Sequence, residues 1–415
     1  MTATRPPLLA LDDAMARLLA YAIPLSETES VSTFDADGRV LAQDVVSHLQ
    51  VPPQDNSSMD GYAVSCADLQ RPDTLLVVSQ RIPAGSSGQA LQSGHAARIF
   101  TGAPIPPGAD AVVMQEDCEL LPAQAADALP QLRLHGPVRL GQWIRRSGED
   151  VTCGSAVLAR GARLSPAGLG MAASVGMDRL QVVRRPRVAL FSTGDELVMP
   201  GAVAPADMRE GSIYNSNRFF LRAMLLRLGC DVTDLGIVPD QRAATVQALQ
   251  DAAHAHDLIL TSGGVSVGEE DHIRPAVELQ GELDLWQIAI KPGKPFAYGR
   301  VAQAHFIGLP GNPVSSFVTF ALLVRPFLLR LLGVPDVAPV VVVARADFDW
   351  PRADRRREFL RVRRNGAGGL DIFPNQSSGV LTSAVWGDGL VDNPPGQTIA
   401  MGDSVRFIAL SDLLF

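Results

Sequence analysis

The stretch TSGGVSVGEEDH at 261–272 sets anion-receptive and acidic residues side by side. Ser262, Gly263 and Gly264 let backbone N–H groups close on an anion, whereas Glu269, Glu270 and Asp271 beside them repel one. A second stretch, GLPGNPVSS at 308–316, runs into an apolar helical pattern, with Asn312 and Ser315 at the helix start, where the first amides attract anions. Between the two lie Lys291 and Lys294 in IKPGKPFAYG, the only two lysines of the chain against 34 arginines. A compact, strongly hydrated ammonium differs from a guanidinium fork, so this confinement argues that an ammonium is required at both places; chance clustering is the alternative. Glu196 in STGDE, Asp240 in VPD and Asp271 occupy three loops. Mg²⁺ takes oxygen ligands, typically one or two carboxylates plus substrate phosphates. A cation held by these acids resolves the contradiction, since the amides then hold a phosphate and the acids hold the metal that neutralises it. Each loop alone also reads as an ordinary strand-to-helix turn or as solvated surface.

These residues need a framework that brings them together. From 186 to 332 the sequence alternates strand and helix: RVALFSTGDEL, NRFFLRAMLLRLG, CDVTDLGIVPD, TVQALQDAAHAH, DLILTSGGVSVG, LWQIAIKPGKP and AHFIGLPGNPVSSF. That alternation predicts an α/β domain with a mainly parallel sheet. Ligands bind such sheets at the carboxyl ends of the strands, which is where STGDE, VPD, TSGGVSVG and GLPGNP fall. Neither GxxxxGK[ST] nor a strand-following GxGxxG is present, which disfavours a P-loop NTPase and a dinucleotide enzyme.

At 415 residues the chain is too long for one core. Residues 8–22 suggest an amphipathic helix, and 40–150 look β-rich. Ser165, Pro166 and Gly176 punctuate a helix, and RRPR at 184–187 reads as a linker. After Val334 the pattern is again β-rich, predicting a small C-terminal β domain. Apolar residues make up 47% and charged residues 19%, with net charge −8, which disfavours a broad nucleic-acid-binding surface. Cys66, Cys118, Cys153 and Cys230 form no CxxC pair, so they are expected as buried thiols in a reducing cytoplasm. The apolar run at 314–333 is interrupted by Arg325, Pro326 and Arg330, short of the ~20 apolar residues of a membrane span; it predicts a buried helix and no membrane association. PRADRRREFLRVRR at 351–364 places seven arginines in an acidic chain, either as a solvated edge strand or as a subsite for a tetrahedral oxyanion.

PPQDNSSMDGYAV, TGAPIPPGADAVVMQED, RRSGED, STGDEL, GSIYNSN, TSGGVSVGEED, KPGKPFAYG and GLPGNPVSS stand here in the order in which they occur in the molybdopterin molybdenumtransferases. The chain resembles that family, which includes bacterial MoeA and the gephyrin E domain, over nearly its whole length. The resemblance implies an enzyme of molybdenum cofactor biosynthesis that inserts molybdate into adenylyl-molybdopterin with Mg²⁺, releasing AMP and the cofactor. It implies a multidomain α/β protein: a discontinuous elongated α+β domain (1–48 and 149–183), an inserted β-rich domain (49–148), a central three-layer molybdopterin-binding α/β domain like the adenylyltransferases (184–334) and a C-terminal β-barrel (335–415). It further implies a cytoplasmic homodimer with a shared cleft, and makes the molybdopterin adenylyltransferase and other cofactor-pathway proteins candidate partners.

Carried over by position, the resemblance assigns Ser266 and Asp271 to hydrolysis of the adenylate, and Glu196, Asp240 and Asp271 to the metal. Thr193, Gly194, Ser262, Gly263, Gly264, Asn312, Ser315 and Lys294 fall to substrate binding. Lys291, Arg361 and Ser378 fall to molybdate or the pterin phosphate. Asp60, Thr101 and Asp150 are positions implicated in activity that would come from the partner side. One departure is Gln287, where many members carry Lys. Two other readings share parts of this pattern: an adenylyltransferase using ATP, which lacks the flanking domains, and a non-catalytic scaffold of the gephyrin E-domain type.

Overall fold

The computed structural model describes residues 8–71, 73–123, 127–265 and 272–414. Its centre is a six-stranded sheet built from β1 (Arg187–Thr193), β2 (Asp231–Val238), β3 (Leu258–Ser262), β4 (Gly281–Gln287), β5 (Pro295–Val301) and β6 (Ala304–Leu309), in the order β2-β1-β3-β6-β5-β4. The first four neighbours run parallel, and β5 and β4 add antiparallel hairpins. Strand residues alternate between two cores, as the period of two demands. Val188, Leu190, Leu258, Leu260 and Ile307 face α1 (Asn217–Arg227) and α4 (Pro313–Leu331). Ala189, Phe191, Ile259 and Phe306 face α2 (Arg242–Ala255) and α3 (Ile273–Gln280). The result is a three-layer sandwich. The amphipathic helix Leu11–Tyr21 joins the first layer through Leu11, Ala14 and Leu18, and Tyr21 stacks on Tyr298 with ring centroids 4.6 Å apart.

α4 is the one helix among the described residues long and apolar enough to cross a membrane, and it is packed inside the protein. A π-helical turn, Phe320–Val324, precedes Pro326. Pro326 has no N–H, and its ring would meet the carbonyl four residues back, so the widened turn lets the helix continue.

Two chain segments far apart in sequence form a second core. Strand Thr28–Ser32 pairs antiparallel with Arg179–Val183, and Val45–Val46 with Ala156–Leu158. Leu41 and Val45 from the first segment pack with Leu164, Ala172 and Leu180 from the second. There Ser165 caps helix Pro166–Ser174 by accepting from Gly168 N (3.2 Å), and Gly176 follows at φ +83°. The intervening chain forms its own six-stranded sheet, whose central strands are Gly61–Val64, His95–Ile99 and Leu75–Ile82.

After α4 the chain closes a five-stranded barrel from β7 (Val342–Ala346), β8 (Arg357–Arg364), β9 (Gly369–Ile372), β10 (Gly389–Asn393) and β11 (Ser404–Ala409). Its order is β8-β9-β7-β11-β10, with β10 returning to β8. β8 therefore has neighbours on both sides, and the arginine-rich strand is not a solvated edge. The short strand Ile290–Lys291 of the central domain pairs parallel with Arg357–Glu358, fastening the barrel to the sandwich.

Candidate active site

A cleft of about 810 Å³ opens over the carboxyl ends of the parallel strands. Thr193, Gly194 and Glu196 enter after β1, Asp240 after β2, residues 262–265 at the end of β3, and residues 310–313 with Ser315 at the start of α4. Thus nine of the predicted positions meet at one surface: Thr193, Gly194, Glu196, Asp240, Ser262, Gly263, Gly264, Asn312 and Ser315. Gly379 and Leu381 of the barrel close one side.

The glycines of TSGG are dictated by space as well as by backbone angle. Gly263 and Gly264 sit at φ +94° and +66°. A Cβ on Gly263 would lie 2.8 Å from the Thr193 carbonyl oxygen, and one on Gly264 would lie 2.4 Å from Ile273 Cγ1. Only glycine lets β3 turn this closely against the end of β1. Gly194, at φ +141°, serves a neighbouring need: a Cβ there would stand 2.5 Å from Glu196 Oε2, so the carboxylate folds back over the bare Cα.

Asn217, the first residue of α1, donates through Nδ2 to Ser262 Oγ (2.8 Å) and to the Gly311 carbonyl (2.7 Å). It is buried and ties together the α1, β3 and β6 loops. The motif GSIYNSN marks this loop without giving Asn217 a site role. The signal in the sequence is a pair of amide side chains, Asn215 and Asn217, at the entry to an apolar helix.

At the start of α4, Pro313 occupies the first turn and Ser316 Oγ donates to the Pro310 carbonyl. Val314 N donates to the Ser378 carbonyl (3.0 Å), which seats the barrel loop against the cleft. Arg361 lies behind that loop, only 2% exposed, and donates to Ser383 Oγ (3.1 Å) and to the carbonyls of Phe359 (3.1 Å) and Ser377 (3.4 Å). Burial pushes its pKa down to about 10. Gln376 bonds both the N–H and the C=O of Arg361, at 2.9 and 3.0 Å.

Lys291 is placed elsewhere than in the cleft wall. Its Nζ lies 2.9 Å from Glu358 Oε1 and 3.3 Å from Asp354 Oδ2, at the seam with the barrel. Glu358, 1% exposed, also accepts from Trp350 Nε1 (2.8 Å). The Lys294 carbonyl accepts from Ile288 N (2.9 Å), and its neighbour Pro295 reaches the cleft. Asp60, Thr101 and Asp150 lie in and beside the inserted domain, outside the cleft. Thr101 donates N–H and Oγ1 to Asp60 Oδ1, both at 2.8 Å, and the N–H bond is the main reason the Asp60 carboxyl titrates below its ordinary range. Asp150 is exposed, with its N–H given to the Val51 carbonyl (2.9 Å). Ser266 and Asp271 lie outside the described residues.

Fold and cleft together define a multidomain protein built around a molybdopterin-binding type of α/β domain: residues 189–330 match the model described as a probable molybdopterin binding domain. Residues 9–176 match the MoeA N-terminal region (domain I and II), and 343–410 the MoeA C-terminal region (domain IV). The chain is 43% identical over 355 residues to a molybdopterin molybdenumtransferase of Haemophilus influenzae, covering 85% of each. It is 36% identical over 394 residues to molybdopterin molybdenumtransferase 2 of Mycobacterium tuberculosis, covering 91% of this chain and 94% of that one. The crystal structure of a molybdopterin biosynthesis MoeA protein from Pyrococcus horikoshii superposes with TM-score 0.83 at 28% identity, over 97% of this chain and all of that one. The chain belongs to the MoeA family of molybdopterin molybdenumtransferases.

Proposed function

We propose that this chain catalyses insertion of molybdate into adenylylated molybdopterin, releasing AMP and molybdenum cofactor, in the cleft of the central domain. The observation that carries this reading is the convergence of four strand-end loops and the start of α4 on one surface that mixes amide donors with two carboxylates from separate loops. In it the phosphoanhydride lies against Ser262, Gly263 and Gly264, with Thr193, Gly194, Asn312 and Ser315 around it. Asn217 holds three of these walls at fixed spacing.

The donor set fits Mg²⁺. Among the described residues no group of three His, Cys, Asp or Glu comes together. Glu196 and Asp240, which both line the cleft, are two carboxylates for an ion that completes its shell with substrate phosphate and water, and Asp271 is a third candidate. When bound, the ion offsets charge developing on the departing phosphate. Ser266 and Asp271 are assigned to hydrolysis of the adenylate. Molybdate, a sulfate-like tetrahedral dianion, is assigned to the barrel side at Ser378, with Arg361 and Lys291 supplying positive charge. The pterin dithiolene sulfurs are soft ligands that draw molybdenum. Asp60 and Thr101 of the inserted domain, with Asp150 just beyond it, act from a second copy, in a homodimer with a shared cleft.

The test is single-turnover AMP release from adenylylated molybdopterin with and without molybdate. Molybdate-dependent release is expected, and Asp271→Asn is expected to bind the adenylylated pterin normally yet release no AMP. Normal release by that variant would remove Asp271 from the chemistry. Pyrophosphate release from ATP would redirect the reading to an adenylyltransferase.

A further inference from the structure

The inserted domain holds a pair of like charges that the reaction above does not use. Arg81 and Arg98 are register partners on the neighbouring parallel strands Leu75–Ile82 and His95–Ile99. Their guanidinium carbons lie 4.5 and 4.7 Å from the centroid of the Phe100 ring. Arg98 also stands 5.1 Å from the Tyr62 ring and donates to the Gly61 carbonyl (3.1 Å) and Gln115 Oε1 (2.5 Å). These contacts fix its fork. Like charges side by side on adjacent strands repel, and an aromatic face offsets only part of that.

The usual remedy is a carboxylate, and the same domain uses it elsewhere: Arg133 pairs with Glu119, and Arg146 with Asp55. Among the described residues neither Arg81 nor Arg98 forms such a pair. The nearby acids hydrogen-bond elsewhere, although the Arg98 charge also acts on Asp60 through space: Asp60 accepts from Thr101, and Glu116 accepts from Gln115 Nε2 (3.1 Å). Arg81 is exposed and Arg98 half-buried, so both are within reach of a ligand.

We propose that Arg81 and Arg98 form an oxyanion subsite on the inserted domain, and that it takes a phosphoryl group. Guanidinium forks match the oxygens of tetrahedral dianions in charge and spacing. Both cations rest on the one Phe100 ring and stand at register-paired positions of adjacent strands, which brings the two charges to one place on the surface. Phe100 leads directly into Thr101, so an anion here sits beside the Asp60–Thr101 pair. The source of that phosphoryl group, the adenylylated substrate of a second copy, rests on the proposed function; the subsite itself does not.

The experiment is calorimetric titration of the full chain at low ionic strength with inorganic phosphate, AMP and molybdate, for wild type, Arg81→Gln, Arg98→Gln and Arg98→Lys. Phosphate affinity is expected to fall about tenfold in either Gln variant and several-fold in Arg98→Lys, which keeps charge but loses the fork. Arg81→Gln, at an exposed position, keeps the test valid if Arg98→Gln unfolds the domain. Phosphate and AMP binding unchanged in both Gln variants overturns the subsite, and so does an effect confined to molybdate. Normal molybdate-dependent AMP release alongside unchanged phosphate binding rejects this proposal alone. Lost phosphate binding in the variants of a chain that never releases AMP rejects the proposed reaction alone.

Discussion

The strand-end cleft and the Asp60 face of the inserted domain contain similar residues but organise them differently. In the cleft, short-range geometry is decisive. Gly263 and Gly264 leave no space for a Cβ, and Asn217 bonds two other loops at once. On the inserted domain, Asp60, Thr101 and Arg98 are open to solvent or half so, and the Thr101–Asp60 and Arg98–Gln115 bonds fix side chains without sealing anything. The first region behaves as part of the core that carries it, while the second is a surface prepared for something to arrive. Substitutions should therefore couple stability to activity in the cleft and separate the two on the inserted domain.

The largest effect is expected at Gly264→Ala. The added methyl meets Ile273 Cγ1 at a backbone angle that alanine adopts poorly. A loss of about 2–4 kcal/mol is expected, with AMP release reduced more than about 100-fold; thermal unfolding and single-turnover assays check both. Wild-type behaviour would show that the β1–β3 contact is loose and dissolve the contrast.

Asn217→Ala comes next. It strands Ser262 Oγ and the Gly311 carbonyl, at a cost of about 1–3 kcal/mol, and the KM for adenylylated pterin should rise as the loops separate. A lower melting temperature with unchanged KM would make Asn217 a core residue only.

Lys291→Arg sharpens the seam between the two domains. A guanidinium does not reproduce the compact ammonium between Glu358 and Asp354. Activity at limiting molybdate is expected to fall several-fold. A fall in thermal midpoint without any molybdate effect would make Lys291 an anchor of the barrel and no ligand.

Acidification tests the core beneath the cleft. His305 is buried, and desolvation lowers its pKa from 6.5 to about 4. The unfolded chain then binds a proton that the folded chain refuses between those values, so stability is full above about 6.5 and declines as pH falls toward 4. A drop of about 1–2 kcal/mol between pH 7 and 5 is expected, and it should be smaller in His305→Asn by denaturant titration at the two pH values. The smallest effect on stability is expected for Asp60→Asn, exposed as it is. Its melting temperature should match wild type while AMP release falls, whereas loss of both would place Asp60 with the cleft residues.

Much of the central domain was legible because its signals are local. Alternating apolar runs between glycine turns specified the strands, and the strand ends specified where Thr193, Glu196, Ser262 and Asn312 would gather. The arginine-rich run of β8 was not legible in this way. Seven arginines in fourteen residues read as an edge or an anion site. In the fold, Arg357 bonds Asp392, Arg361 is buried behind a loop, Arg363 covers Trp386 and Arg364 bonds Asp388. These four fates depend on partners distant in sequence, as far as Asp12, 345 residues from Arg357, which no local pattern encodes.

The sequence by itself determined the kinds of residue at the cleft and the family they belong to, because glycine, asparagine and loop carboxylates at strand ends have chemistry that survives without coordinates. Only the tertiary structure decided that Lys291 faces Glu358, that Arg361 supports a loop from behind, and that Asn217 joins three walls. Those outcomes turn on which low-dielectric contacts form between segments distant in sequence.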